Sequence, residues 1–171
     1  MVVFGIDPGS RTTGFGVIDV EGNKLQCVDY GAVKGIRRGG ENAFPRRLRR
    51  IYRELSLSLQ KHRPEVVVLE EVFHAVNSRT ALLLGQARGV ALLAAAESGA
   101  EIFEYSPLEV KKSVVGYGRA DKQQVQLMVS VLLHLDRKPQ PHDAADALAI
   151  AICYALRCPK VGGGSVLRPQ P

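Results

Sequence analysis

The segment VVFGID, residues 2–7, constrains the fold of this chain more than any other part of its sequence. It is short, apolar and rich in β-branched residues, which is typical of a central strand buried on both faces. Two further strand patterns follow, TTGFGVIDV at 12–20 and KLQCVDYGAVK at 24–34, with the turn EGN between them. The N-terminal part of the chain therefore predicts a meander of three strands joined by short loops.

Helical and strand patterns alternate after the meander. Residues 43–61 place apolar side chains at helical spacing opposite arginines, which predicts an amphipathic helix. EVVVLEE at 65–71 predicts a second buried strand. A long helix then begins at Ser78, which can serve as its N-cap, and ends near Ser98 ahead of a glycine.

The last part of the chain predicts one more strand and three more helices. EIFEYS at 101–106 is a candidate third core strand, and its Ser106 opens a capping box for the next helix. Asp121 caps another helix, and the last runs from about His142 to Arg157. We expect an α/β fold with a five-stranded mixed sheet, in which the antiparallel meander of strands 1–3 is extended by parallel strands 4 and 5, with helices on both faces.

The chain length suits a single domain. We expect that domain to cover residues 1–157, followed by a flexible tail at 158–171 that is rich in Gly and Pro. The N-terminus has no pattern of a secretion signal, and the longest apolar segment, 81–96, is interrupted by polar residues and is too short to cross a bilayer. The three cysteines form no CxxC pair, so a cytoplasmic protein with reduced thiols is expected.

Basic residues are concentrated between Lys34 and Arg63. This segment holds ten Lys and Arg residues against Glu41 and Glu54, a net charge of +8 in a chain whose total is +6. A solvated helix face could carry such a run, but ordinary surfaces intersperse both signs. Contact with a phosphate backbone is therefore the favoured interpretation.

Four acidic residues lie at positions where active sites of α/β folds are commonly found. Asp7 follows the first strand and Glu70 ends the strand VVVLE, so both lie at the carboxyl ends of strands. Asp143 and Asp146 lie three apart on one edge of an otherwise apolar helix. Like charges brought together need a neutralising cation, and carboxylate ligands favour Mg²⁺ or Mn²⁺. Two such ions about 3.5–4 Å apart can hydrolyse a phosphodiester.

Each acid has an ordinary explanation when it is taken alone. Asp7 before Pro-Gly is a common turn residue, Glu70 or Glu71 could end a strand in solvent, and Asp143 could interact with the helix dipole. Asp146 is harder to explain in this way, because it faces the same direction as Asp143 inside an apolar helix. The joint pattern, rather than any single residue, favours a metal site.

Four long blocks of the sequence match a known pattern: GIDPGSRTTGFGVI, LEEVFHAVNSRTALLLGQARGVALLAAA, FEYSPLEVKKSVVGYGRADKQQVQ and HDAADALAIAI. Together, over about residues 2–155, they resemble the RuvC-type Holliday junction resolvases, which are RNase H-like nucleases. The resemblance implies a homodimeric, Mg²⁺-dependent crossover junction endodeoxyribonuclease with two ions per active site. Such an enzyme nicks opposing strands of a four-way junction symmetrically in homologous recombination and DNA repair. It also implies junction-binding and branch-migration partners of the RuvA–RuvB type.

The resemblance also assigns roles to individual residues. The metal-binding catalytic acids of the family match Asp7, Glu70, Asp143 and Asp146. Basic positions that contact DNA phosphate beside the active site match Lys111 and Lys122, and Arg79 is assigned as a further DNA contact. An aromatic that enters the junction crossover matches Phe73. Glu71 is left out, because the family tolerates a neutral residue there.

Three features leave alternatives open. Phe73 lies in a loop, either as an apolar wedge that unstacks bases or as an anchor tucked onto the sheet. His142 is either a metal ligand or, preferably, a helix cap. Gly85 and Gly89 lie four apart in the helix from Ser78, and small residues at this spacing allow close helix approach. We expect that helix to form the dimer interface, with packing on the sheet as the explanation for its other face.

Two other functions compete with the nuclease. DPGSRTTGFG also suits the phosphate loop of actin-like ATPases and sugar kinases, but those proteins need two large domains to enclose a nucleotide. A non-catalytic junction-binding module would use the basic segment 34–63. Binding alone, however, gives no reason for four acids that repel phosphate.

Overall fold

The computed structural model describes residues 1–34, 43–71 and 77–158. The helices and strands in these segments are, in chain order, β1 (Val2–Asp7), β2 (Thr12–Glu21), β3 (Lys24–Lys34), α1 (Ala43–His62), β4 (Val66–Glu70), α2 (Ser78–Glu97), β5 (Glu101–Tyr105), α3 (Pro107–Val115), α4 (Lys122–Leu132) and α5 (His142–Arg157). Across these segments, no helix has the length and apolar character that a membrane crossing requires.

The strands form one five-stranded sheet in the order β3-β2-β1-β4-β5. β1 pairs antiparallel with β2 and parallel with β4, and β5 pairs parallel with β4. The predicted mixed sheet, a meander extended by two parallel strands, is therefore confirmed. β5 is not the core strand that the sequence suggested. It lies at the edge of the sheet with exposed or half-buried residues, because only β4 flanks it.

Alternation along the strands divides the core between the two faces of the sheet. Val3 in β1 and Val68 in β4 face a cluster that includes apolar residues of α3, α4 and α5. Phe4 and Ile6 face a second cluster, formed with α1 and α2. Helices thus cover both faces, as predicted, and β1 is buried along its middle because it lies between the two layers.

The starts of α3 and α4 follow the predicted capping residues, whereas the start of α2 does not. Ser106 and Asp121 each form a capping box with the residue three positions later, at the start of α3 and α4. The N-cap of α2 is Asn77 rather than Ser78. Asn77 has an extended backbone and its side-chain oxygen accepts a hydrogen bond from the backbone N–H of Thr80 at 2.9 Å.

Candidate active site

Two of the predicted acids lie side by side at the end of the central strands. The parallel register between β1 and β4 pairs Ile6 with Leu69, so Asp7 and Glu70 come next on neighbouring strands. Alternation gives both side chains the direction of Val3 and Val68, toward the face that α5 covers. The carboxylates of Asp7 in β1 and Glu70 in β4 therefore both point toward α5.

Close contact between α5 and the sheet brings the other two acids to this edge. A Cβ added at Gly5 would lie 2.1 Å from the carbonyl oxygen of Ala147, and one at Gly16 would lie 2.7 Å from the backbone nitrogen of Leu148. Only glycine lets the helix rest directly on the strands at these points. The first turns of α5, with Asp143 and Asp146, consequently lie over the end of β1.

The pKa values of the acids show that they interact. The pKa of Asp7 is raised from 3.8 to about 8, mainly by burial and then by the negative charges of Glu70, Asp146 and Asp143, whereas Lys122 opposes the shift. Burial raises the pKa of Glu70 to about 7, with the charge of Asp146 as the next cause. The four predicted acids are thus in electrostatic reach of one another, so without a cation a proton is retained at neutral pH.

The two predicted lysines flank the acids. Lys122, the first residue of α4, has its Nζ 3.4 Å from Oδ2 of Asp146, and the charge of Asp146 raises the pKa of this lysine. Lys111, in α3, lies near enough to Glu70 to lower the pKa of that carboxyl. The side chain of Lys122 is 76% exposed, so its ammonium remains accessible to a ligand at the mouth of the site.

An open cleft of about 610 Å³ gives access to the acids, and its lining includes Asp7, Glu70 and Asp143. The turn from Pro8 to Thr12, which contains Arg11, forms one wall. Glu71, which was left out of the predicted site, also lines the cleft. Glu71 follows the last residue of β4. Because consecutive residues of a strand point to opposite faces, the sequence pattern favours Glu70 rather than Glu71 as the partner of Asp7.

The donor set suits a hard divalent cation. Carboxylate oxygens are the ligands that Mg²⁺ and Mn²⁺ prefer, and a cation would remove the repulsion that raises the pKa of Asp7 and of Glu70. In residues 1–34, 43–71 and 77–158, no three His, Cys, Asp or Glu side chains are already grouped tightly enough to hold an ion. The residues therefore fit a divalent metal by the chemical type of their ligand atoms.

Three further residues were singled out in the sequence, namely Arg79, Phe73 and His142. Arg79 is exposed in the first turn of α2. Phe73 lies outside the described residues. His142 does not cap α5, whose N-cap is Pro141 without a side-chain hydrogen bond. Instead, its Nδ1 lies 2.5 Å from the amide nitrogen of Gln126 in α4, which orients the imidazole toward that helix.

A five-stranded mixed sheet of this order, with carboxylates from β1, β4 and α5 at one edge, defines an RNase H-like nuclease. The family model described as "Crossover junction endodeoxyribonuclease RuvC" matches residues 3–154. The chain therefore belongs to the RuvC family of crossover junction endodeoxyribonucleases, a family of nucleases that use divalent metal ions.

Individual relatives and solved structures agree with this assignment. The crossover junction endodeoxyribonuclease RuvC of Alkaliphilus oremlandii is 53% identical over 155 residues, which are 91% of this chain and 93% of the relative. The structure of Thermus thermophilus RuvC superposes with a TM-score of 0.80 at 38% identity, covering 91% of this chain and 94% of that one. The T. thermophilus protein in complex with a Holliday junction substrate gives a TM-score of 0.80 at 36% identity, with the same coverage.

Proposed function

We propose that this chain resolves four-way DNA junctions in recombination and repair by two symmetric nicks, and that Asp7, Glu70, Asp143 and Asp146 hold two Mg²⁺ ions. The observation that carries the proposal is the mutual electrostatic coupling of these acids at the mouth of an open cleft. Relatives that cover more than nine-tenths of the chain support the same activity.

The residues of the chain have distinct parts in this reaction. Two bound ions would supply activation of a water molecule and stabilisation of the leaving oxygen of the phosphodiester. Asp7 and Glu70, on rigid strands, would hold the ions together with Asp143 and Asp146 from α5. Lys122 directs its ammonium group toward the phosphate, where it can stabilise negative charge in the transition state. Lys111, Arg79 and Phe73 are proposed to contact the DNA around the junction.

A homodimer would place two such sites on one junction. The exposed face of α2 suits this role, since Leu82 is 63% and Leu93 is 52% exposed in the isolated chain. Between them, a Cβ added at Gly85 or Gly89 would meet nothing within 4 Å, so a partner helix could approach closely. Two-fold symmetry suits the paired nicks. We also propose a cytoplasmic location and branch-migration partners of the RuvA–RuvB type.

The proposal is tested with a synthetic mobile four-way junction labelled on each strand. With Mg²⁺, the protein should produce paired nicks at symmetric positions, and Asp7→Asn should abolish them while junction binding persists. Asp136→Asn, an exposed acid outside the cleft, is the matched control and should cut normally. A protein that shifts the junction without cutting, in the presence of either Mg²⁺ or Mn²⁺, would be a binding module and not a resolvase.

A further inference from the structure

The N-terminal half of α1 exposes a compact group of arginines that the active site does not use. Arg46, Arg49, Arg50 and Arg53, together with Glu54, line a shallow depression of about 350 Å³, here called the arginine groove. The opposite side of the helix carries Ile51, Leu55 and Leu59 into the core. Burial of those apolar residues therefore fixes the arginines on the solvent side.

Three of the four arginines in the groove carry positive charge that no described carboxylate offsets. Elsewhere in the chain, Lys61 pairs with Asp29 at 2.8 Å and Arg157 pairs with Glu109 at 3.0 Å. Within the segments that the structure describes, no carboxylate pairs with Arg49, Arg50 or Arg53. Like charges four positions apart on a helix destabilise it, so this arrangement costs stability unless an anion occupies the groove.

The arginine groove begins at the same end of the sheet as the active-site cleft. β3 runs parallel to β1, because both pair antiparallel with β2, so the strand before α1 ends at the same edge of the sheet as Asp7. The guanidinium of Arg47 donates a hydrogen bond to the carbonyl oxygen of Ser10, a residue that lines the cleft. The groove then follows α1 away from this point, and Arg46 to Arg53 span about 10 Å along the helix axis.

We propose that the arginine groove binds the phosphate backbone of one duplex arm of the junction, outside the site of cleavage. The inference rests on the proposed function only for the identity of the DNA. Duplex DNA carries one negative charge per about 1.7 Å of axis, so an arm leaving the cleft would present several phosphates to the groove. Guanidinium groups bind phosphate through paired hydrogen bonds, and such contacts hold any sequence equally well.

The test is the salt dependence of junction binding, measured by fluorescence anisotropy with Ca²⁺ in place of Mg²⁺ so that cleavage does not enter. Arg50→Gln/Arg53→Gln should weaken binding by about tenfold at moderate salt and reduce the slope of log K against log[salt] by about 1.8, which corresponds to two phosphate contacts. Arg50→Lys/Arg53→Lys keeps the charge and should retain most of the slope.

The matched control is Lys24→Gln/Arg63→Gln, which removes the same charge at the opposite end of the strands. Lys24 lies in the β2–β3 hairpin and Arg63 precedes β4, both far along the strands from Asp7. Equal effects of the two Gln pairs, or an unchanged slope for the α1 variant, would overturn the proposal. Failure of the nuclease function would abolish cleavage in every protein without altering the binding comparison.

Discussion

Gly14 and Asp143 lie in backbone contact, since a Cβ added to Gly14 would come within 1.9 Å of the carbonyl oxygen of Asp143. Gly14 also pairs directly with Asp7 across the β1–β2 ladder. One glycine therefore joins two of the candidate metal ligands, the acid at the end of β1 and the first acid of α5. The distance between these carboxylates depends on the absence of a side chain at this position.

We predict that Gly14→Ala displaces the N-terminal end of α5 and inactivates the enzyme. The new methyl group meets backbone atoms that cannot rotate away, so the helix itself must move. Overpacking of this kind costs about 1–3 kcal/mol of stability. A displacement of the ligands by about 1 Å reduces the rate of cleavage by about 100-fold. Single-turnover junction cleavage and urea unfolding measure the two effects.

Gly31→Ala provides the control for this prediction. A Cβ there would come within 2.9 Å of ring atoms of Phe15, which belong to a side chain that can adjust, and Gly31 lies on β3, away from the acids. It should keep most of the cleavage activity despite some loss of stability. A Gly14→Ala protein that cuts at the rate of the Gly31→Ala protein would show that contact with α5 does not position Asp143.

Asp7→Asn should stabilise the metal-free protein, and increasingly so as the pH rises. The pKa of Asp7 is raised from 3.8 to about 8, so the folded state holds this proton more tightly than the unfolded chain does. The free energy of unfolding therefore falls as the pH rises from about 4 to about 8. Asparagine carries no such charge, and we expect a gain on the order of 2 kcal/mol near neutral pH.

Thermal unfolding at pH 5 and pH 8, with a chelator present, measures this gain. The difference in Tm between Asp7→Asn and the unmodified protein should widen at pH 8, whereas Asp136→Asn should show no such trend. Saturating Mg²⁺ should reverse the order, because the metal stabilises only the protein that binds it. A difference in Tm that is the same at both pH values would mean that the pKa of Asp7 is not raised in the folded protein.

Lys122→Ala should slow cleavage much more than it weakens binding. The ammonium lies 3.4 Å from Asp146, so under the proposed function it would lie close to the reacting phosphate, where its charge would act mainly in the transition state. We expect cleavage of bound junction to slow by about 10- to 100-fold, while the Kd rises about threefold. Lys138→Ala, an exposed lysine outside the cleft, is the control. Equal losses of rate and affinity would indicate an ordinary backbone contact.

Leu82→Glu should convert a dimer into a monomer. The side chain lies on the exposed face of α2 beside Gly85 and Gly89, and a buried charge there would lack a partner. Sedimentation velocity should show the loss of the dimer, and junction cleavage should lose the pairing of its nicks. Leu127→Glu, in α4 and 51% exposed, should remain dimeric. A Leu82→Glu protein that sediments as a dimer would place the interface elsewhere.

The sequence predicted the sheet well because its strand patterns are strong. β1 and β3 begin and end at the predicted residues, and α5 spans His142–Arg157 as expected. Alternation within the first strand places Asp7 on the same face as Val3, which is the face that α5 covers. The edge position of β5 was missed because apolar content alone does not show how many neighbours a strand has.

The candidate acids were predicted from their positions along the strands and the last helix. The glycines that let α5 approach the sheet, and so bring the acids together, were not predicted. Gly5, Gly14 and Gly16 look like weak points in strand patterns, where glycine is normally unfavourable. These glycines are needed because α5 packs against them. Since α5 lies more than a hundred residues later in the chain, no local sequence pattern links the glycines to that helix. Glycine in a buried strand often marks close backbone approach, and this was the available signal.

The central claim is that Asp7, Glu70, Asp143 and Asp146 together bind divalent ions. The most direct measurement is anomalous diffraction from crystals of the protein grown with Mn²⁺. We predict two anomalous peaks in the cleft, with carboxylate oxygens of these four residues within about 2.5 Å of the ions, and no such peaks in Asp7→Asn crystals. Mn²⁺ bound elsewhere, with the four carboxylates free of metal, would contradict the account.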